Sequence, residues 1–143
     1  MSITFIEDLD ELDFYRVCEI YDNCGWGKKT IDDARIIRTE TVFKQSFYFS
    51  VACDVGGNYL GFVRALSDNI ATSWIAELVV IESAQRTGVG SQIFAKAKEN
   101  LGHTDIYLET FSGKEKFFEL QGLKSRPKMV VCSRGKSSSR SPA

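Results

Sequence analysis

The sequence predicts a mixed α/β fold, with a mostly antiparallel central sheet and helices on both faces. Three observations carry this. The middle of the chain reads as aromatic and β-branched runs separated by short turns of Gly, Asn and Asp. After Ile81 the pattern changes to strand, helix, strand, and the helical segments each show an apolar face. At 143 residues, 43% of them hydrophobic and 26% charged, the chain suits one globular domain that buries its own core.

Ser2 to Glu7 mixes apolar and polar residues and predicts a first strand. Asp10 opens a helix on which Phe14, Val17, Cys18 and Tyr21 fall at i, i+3, i+4 and i+7. Asn23-Cys24-Gly25-Trp26-Gly27 breaks it. Thr30 caps a second helix, whose faces carry Ile31, Ala34, Arg35 and Arg38. Phe47 to Cys53, Tyr59 to Leu66 and Thr72 to Ile81 are strands joined by Asp54–Asn58 and Ser67–Asn69, which makes an antiparallel meander.

Val89, Ile93, Ala97 and Leu101 define the next helix, closed by Gly102. Asp105 to Thr110 is a short strand, most simply parallel to the one before the helix. Ser112 to Glu115 has the spacing of a capping box for a helix carrying Phe117, Phe118 and Leu120 and ending at Gly122. Lys128 to Ser133 is expected to be a final strand. Residues 1–134 are read as one domain, and 135–143 as a polar, disordered tail.

Several partner classes are disfavoured. A net charge of −1 gives no electrostatic pull on a phosphate backbone, so nucleic acid is not expected. No apolar run approaches the ~18 residues of a membrane span, and Met1 to Leu9 lacks a basic leader, so a cytoplasmic location is the expectation. Cys18, Cys24, Cys53 and Cys132 form no C-x-x-C pair, and His103 is the single histidine, so no metal site is expected.

Between an apolar strand and an amphipathic helix lies Gln85-Arg86-Thr87-Gly88-Val89-Gly90-Ser91. A helix N-terminus offers unpaired N–H groups, and glycines there let the backbone come close to an anion such as a pyrophosphate. Arg86 can add a charge-assisted contact. The fingerprints G-x-G-x-x-G and G-x-x-x-x-G-K-[ST] are both absent, and the same spacing also suits a turn with no ligand.

The segment from Glu77 to Gly90 resembles motif A of the GNAT superfamily of N-acetyltransferases, [QR]-x-x-G-x-[GA] after a central strand. Phe117-Phe118-Glu119-Leu120-Gln121-Gly122-Leu123 resembles that superfamily's later aromatic-Tyr-x-x-x-Gly-Phe segment, and the element order agrees over residues 1 to 133. The resemblance implies a sheet of about six to seven strands with a splayed parallel pair at its centre. It also implies acetyl-CoA as co-substrate. Backbone groups of Leu78, Val79 and Val80 would pair with the pantetheine arm, and the amides of Gln85 to Ser91 would hold the pyrophosphate. The implied activity is direct transfer of an acetyl group to a primary amine of a small molecule, with no acyl-enzyme; a homodimer is possible within the family.

Glu77 is the candidate general base, because on a regular strand it shares an apolar row with Ile75, Val79 and Ile81. Pairing with a basic neighbour such as Arg64 is an equally good reading. Glu82, at the strand end, reads as solvated. Trp26, just after the helix break, lines the acceptor pocket or simply packs. His103 reads as a surface residue. The sequence departs from the family at Phe118, where a tyrosine usually serves as general acid; Tyr107 is a possible substitute but suits a core strand better. That departure keeps a second reading open, an acyl-CoA-binding module without turnover, and a protein amine remains an alternative acceptor.

Overall fold

The computed structural model describes residues 2–26 and 30–135. It divides into two compact units, the first ending at Leu108 and the second beginning at Glu109.

The first unit holds a five-stranded sheet in sequence order: β1 (Thr4–Ile6), β2 (Tyr48–Cys53), β3 (Tyr59–Ser67), β4 (Thr72–Val80) and β5 (Asp105–Leu108). All neighbours are antiparallel except β4 and β5, which are parallel. The meander is therefore as expected, and so is the parallel pair, joined through α3 (Val89–Leu101). Helices α1 (Phe14–Asn23) and α2 (Asp33–Gln45) lie between β1 and β2 in the chain.

The helix boundaries differ from the sequence reading for local reasons. Asp10 sits in a short 3-10 turn, Leu9–Glu11, and α1 starts later because the Asp13 carboxylate accepts from Tyr15 and Arg16 N–H. Asp32, not Thr30, caps α2 by accepting from Arg35 N–H. Its buried residues are Thr39 and Phe43, one turn beyond the face expected from Ile31 to Arg38.

The two faces of the sheet follow from the register. Val51, Phe62 and Val79 stand opposite one another on β2, β3 and β4 and form a core with Phe14, Val17 and Ile20 of α1 and Phe43 of α2. The neighbouring residues point the other way, toward α3. Gly61 shows how close the contact on that side is. A Cβ there would lie 2.3 Å from the Val79 carbonyl oxygen, 3.0 Å from Val80 Cα and 3.2 Å from Ile93 Cδ1 of α3. Because two of those atoms are backbone, Gly61→Ala should destabilise the protein by about 1–3 kcal/mol. In urea this appears as a lower midpoint at unchanged slope; an unmoved midpoint would show that β4 yields easily.

One irregularity matters for function. Arg64 pairs with Glu77 but Ala65 pairs with Ile75, so Ala76 is an extra residue in β4, a β-bulge. The bulge shifts the side-chain phase by one. Ile75 stands opposite Ala65 on the α3 side, while Glu77 and Val79 stand opposite Arg64 and Phe62 on the α1/α2 side. Of the expected row through Ile75, Glu77, Val79 and Ile81, Ile75 therefore drops out, while Glu77 and Val79 share a face and Ile81 packs against the same core.

The second unit contains α4 (Glu115–Leu120). Its N-cap is Lys114 with no side-chain cap, and the Glu115 carboxylate accepts from Gly113 N–H, so the expected capping box at Ser112 does not form. Residues 128–133 form no strand, and the sheet has five strands, not six to seven. A strand needs a ladder partner for its N–H and C=O groups, and the described residues of this unit include no other strand. Val130 is accordingly 83% exposed. Of the expected tail, residues 136–143 lie outside the described residues.

Candidate active site

The pairing of β4 with β5 stops at Ile75 opposite Leu108. Beyond that point β4 continues alone on this side through Val80. Ile81 N–H donates to Leu60 C=O at 2.9 Å, so the backbone groups of Val79 and Ile81 point toward β3. By alternation Leu78 and Val80 turn theirs to the open side. Val80 C=O is already met there by Gln85 Nε2 at 3.0 Å and by Cys24 Sγ at 3.5 Å. The resemblance assigned an added extended chain to Leu78, Val79 and Val80; of these, Val79 turns its backbone groups to β3, so only Leu78 and Val80 face the open side.

The next turn is built for close approach. Arg86 has φ of 61° and Gly88, the N-cap of α3, has φ of 91°, two left-handed positions within three residues. No side chain caps α3, and its first internal bond runs from Gln92 N–H to Gly88 C=O. The amides of Arg86, Thr87, Gly88, Val89 and Gly90 therefore meet no acceptor among the described residues. Gln85 to Gly88 are exposed, Gly90 and Ser91 are half-buried, and Val89 is buried in the α3 core. The Thr87 hydroxyl donates back to Ala84 C=O and tightens the turn. Free donors at the positive end of a 13-residue helix are the kind of group that can hold an anion. A Cβ on Gly88 would meet nothing within 4 Å, so space in front of the turn is clear.

Glu77 lies just past the bulge, two residues beyond the last β4–β5 pair. Its Oε1 accepts from Tyr21 Oη and from Arg64 Nε, both at 2.7 Å. Both donors fall on the same oxygen, and among the described residues none reaches Oε2. The carboxylate is mostly but not fully covered, at 19% side-chain exposure. Arg64 in turn donates from Nη1 to Ser46 Oγ at 3.2 Å. Burial first, and then the charge of Glu77, hold the Tyr21 hydroxyl well above the usual phenol range, so it stays a donor.

The pairing of Glu77 with Arg64 weighed from sequence is thus present, and it coexists with an uncommitted carboxylate oxygen. Sequence reasoning missed Tyr21 as a partner, although it stood on the apolar face of α1, where a phenol hydroxyl needs an acceptor. Trp26 is 56% exposed. Gly27, expected beside it, lies outside the described residues. Tyr107 pairs in register with Trp74, three residues short of Glu77, and is exposed, so it is no core residue. Phe118, on α4, is half-buried with its ring edge-on to Phe117 at 5.0 Å, and a phenyl ring donates no proton. Glu82 is exposed, as expected, and His103 is exposed with Nε2 at 2.8 Å from Asn69 Oδ1. Among the described residues no cluster of His, Cys, Asp or Glu could hold a metal ion, and no helix is long and apolar enough to cross a membrane.

A separate open hollow of about 600 Å³ lies by the β2–β3 turn and includes Arg16, Cys53, Asp54 and Tyr59 in its lining. It shares no residue with the groups above. Its guanidinium is already engaged, 4.2 Å above the Tyr59 ring and bonded to Gly57 C=O at 2.5 Å.

The sequence profile of the acetyltransferase (GNAT) family matches residues 6–121. Among solved structures, a protein of Deinococcus radiodurans R1 provisionally described as an acetyltransferase is 24% identical, with a TM-score of 0.75 over 90% of this chain and 87% of that one. A GNAT-family acetyltransferase of Streptococcus pneumoniae TIGR4 is 20% identical, with a TM-score of 0.71 over 94% of this chain and 100% of that one. Glucosamine-6-phosphate N-acetyltransferase of Arabidopsis thaliana is 11% identical, with a TM-score of 0.74 over 96% of this chain and 100% of that one. No curated protein sequence matches.

Proposed function

The chain belongs to the GNAT acetyltransferase family, and on that premise we propose that it transfers an acetyl group from acetyl-CoA to a primary amine of a small molecule. The observation that carries this is the run of β4 past its last β5 partner into a turn of unpartnered amides, with an uncommitted carboxylate oxygen on Glu77 nearby in the chain. The family match spans both units, which supports reading residues 1–134 as one domain.

Acetyl-CoA, when bound, supplies the acetyl group as a thioester. The chain's own groups bind and orient. The backbone of Leu78 and the Val80 N–H offer an extended arm hydrogen bonds, while Val80 C=O is held by Gln85 and Cys24; the amides from Arg86 to Gly90 hold a pyrophosphate, with Arg86 adding charge. Gln85 and Ser91 flank this cradle. Glu77 Oε2 takes the proton that the amine gives up as its nitrogen bonds to the acetyl carbon. The departing thiolate draws its proton from solvent. No side chain needs to become acylated. Trp26 forms part of the acceptor wall, its exposed ring available to an incoming apolar group.

Phe118 also favours a second reading, acyl-CoA binding without turnover. Calorimetric titration with acetyl-CoA, with adenosine diphosphate as control, tests the shared part of both. One-to-one binding much tighter than the control is expected, weakened about 10-fold or more in Gly88→Val, whose side chain disfavours the left-handed backbone of the cradle. Equal affinity in the two proteins would remove the turn from the site. Thiol release on adding amines then separates an enzyme from a binding module.

A further inference from the structure

Tyr21 is anchored more thoroughly than a packing residue requires. Its ring stands edge-on to Phe62 with centroids 5.2 Å apart, and its carbonyl accepts from Trp26 N–H at 3.0 Å where α1 ends. Its hydroxyl donates to Glu77 at 2.7 Å, with the Arg64 guanidinium beside it. Arg64 approaches the same carboxylate from β3, as its direct cross-strand partner. Two donors from two elements thus converge on Oε1, at 2.7 Å each, and fix the rotation of the carboxylate about its last bond.

We infer that Tyr21 is a positioning residue for acetyl transfer, holding Oε1 of Glu77 so that Oε2 is the oxygen presented to the amine. The inference rests on Glu77 being the base. Arg64 alone supplies charge but leaves the carboxylate free to exchange its oxygens, since a guanidinium accommodates either one. The phenol completes a two-point clamp. A role for Tyr21 as the acid that protonates the thiolate does not fit, because burial and the adjacent carboxylate hold its proton tightly.

The test is a double-mutant cycle on thiol release from acetyl-CoA, with ethylamine at high concentration as probe acceptor and water as the second. Tyr21→Phe should lower kcat about 10-fold, the scale of one hydrogen bond to a charged group, with the KM for acetyl-CoA unmoved. In a Glu77→Gln background the same change should cost nothing further, because Tyr21 acts only through Glu77. Independent, multiplicative losses would overturn the inference, as would an unchanged kcat in Tyr21→Phe. If Glu77→Gln alone keeps the wild-type rate, or the wild type releases no thiol with either acceptor, the base reading falls and the inference with it. A second readout needs neither acetyl-CoA nor turnover. In the unliganded protein, a tyrosine hydroxyl proton protected from exchange should appear in proton NMR, vanish in Tyr21→Phe and shift in Glu77→Gln. Its absence from the folded wild type would show that the clamp does not form.

Discussion

Glu77→Gln lowers kcat for acetyl transfer by roughly 100- to 10,000-fold, the range that a positioned general base contributes, and leaves acetyl-CoA affinity unchanged. The two halves of this expectation have different origins. On the proposed reading, affinity comes from backbone on β4 and in the turn after it, which a side-chain amide at 77 does not touch. Rate depends on a proton leaving the amine as the new bond forms, and a glutamine cannot take it. The amide oxygen can still accept from Tyr21 and Arg64, so the site keeps its shape. A thermal melt checks this, because Arg64 loses a countercharge while mostly buried, at 17% side-chain exposure. An intact melt with an intact rate would make Glu77 a structural ion-pair partner only. An intact melt with the rate lost would assign the proton to Glu77.

The position of that carboxylate was only partly legible in the sequence. The meander could be read because each strand is aromatic or β-branched and each turn carries Gly, Asn or Asp, which are local signals. The turn that opens α3 was legible for the same reason: Gly88 and Gly90 stand where an apolar strand gives way to an amphipathic helix. The bulge at Ala76 was not. Nothing in Ile75-Ala76-Glu77 marks an extra residue, since bulges answer to pairing with β3 and not to local propensity. A strict period of two placed Glu77 beside Ile75, whereas the bulge turns it to the α1/α2 face, where Tyr21 and Arg64 are. Its partnership with Arg64 was foreseeable as charge chemistry, but Tyr21 is 56 residues away in sequence and came only with the fold. The Lys128 to Ser133 segment failed in the opposite way. Met129, Val130 and Val131 have strong strand propensity, yet propensity supplies no partner edge.

Phe43→Ala should cost about 3–5 kcal/mol of stability, the range for truncating a fully buried aromatic. Phe43 is 0% exposed, and its ring meets those of Phe14, Phe49 and Phe62 at centroid distances of 5.5, 5.4 and 5.3 Å. It is therefore the point at which α2 locks onto both α1 and the sheet. Against a total stability of about 5–15 kcal/mol, the loss is a large share, and a melting point lower by on the order of 10–20 °C is expected. Val55→Ala, at a residue 87% exposed in the β2–β3 turn, should leave the melt unchanged. The effect should also reach the site. Phe62, next to the cavity that Phe43→Ala opens, is the ring against which Tyr21 stands, so its loosening frees the hydroxyl that holds Glu77. The folded variant, assayed well below its melting point, should then lose part of the rate that Tyr21→Phe loses and keep its affinity for acetyl-CoA. A melt shifted by only a degree or two would show that α2 does not lock the core through this ring. A large shift with full activity would separate the aromatic core from the orientation of Glu77.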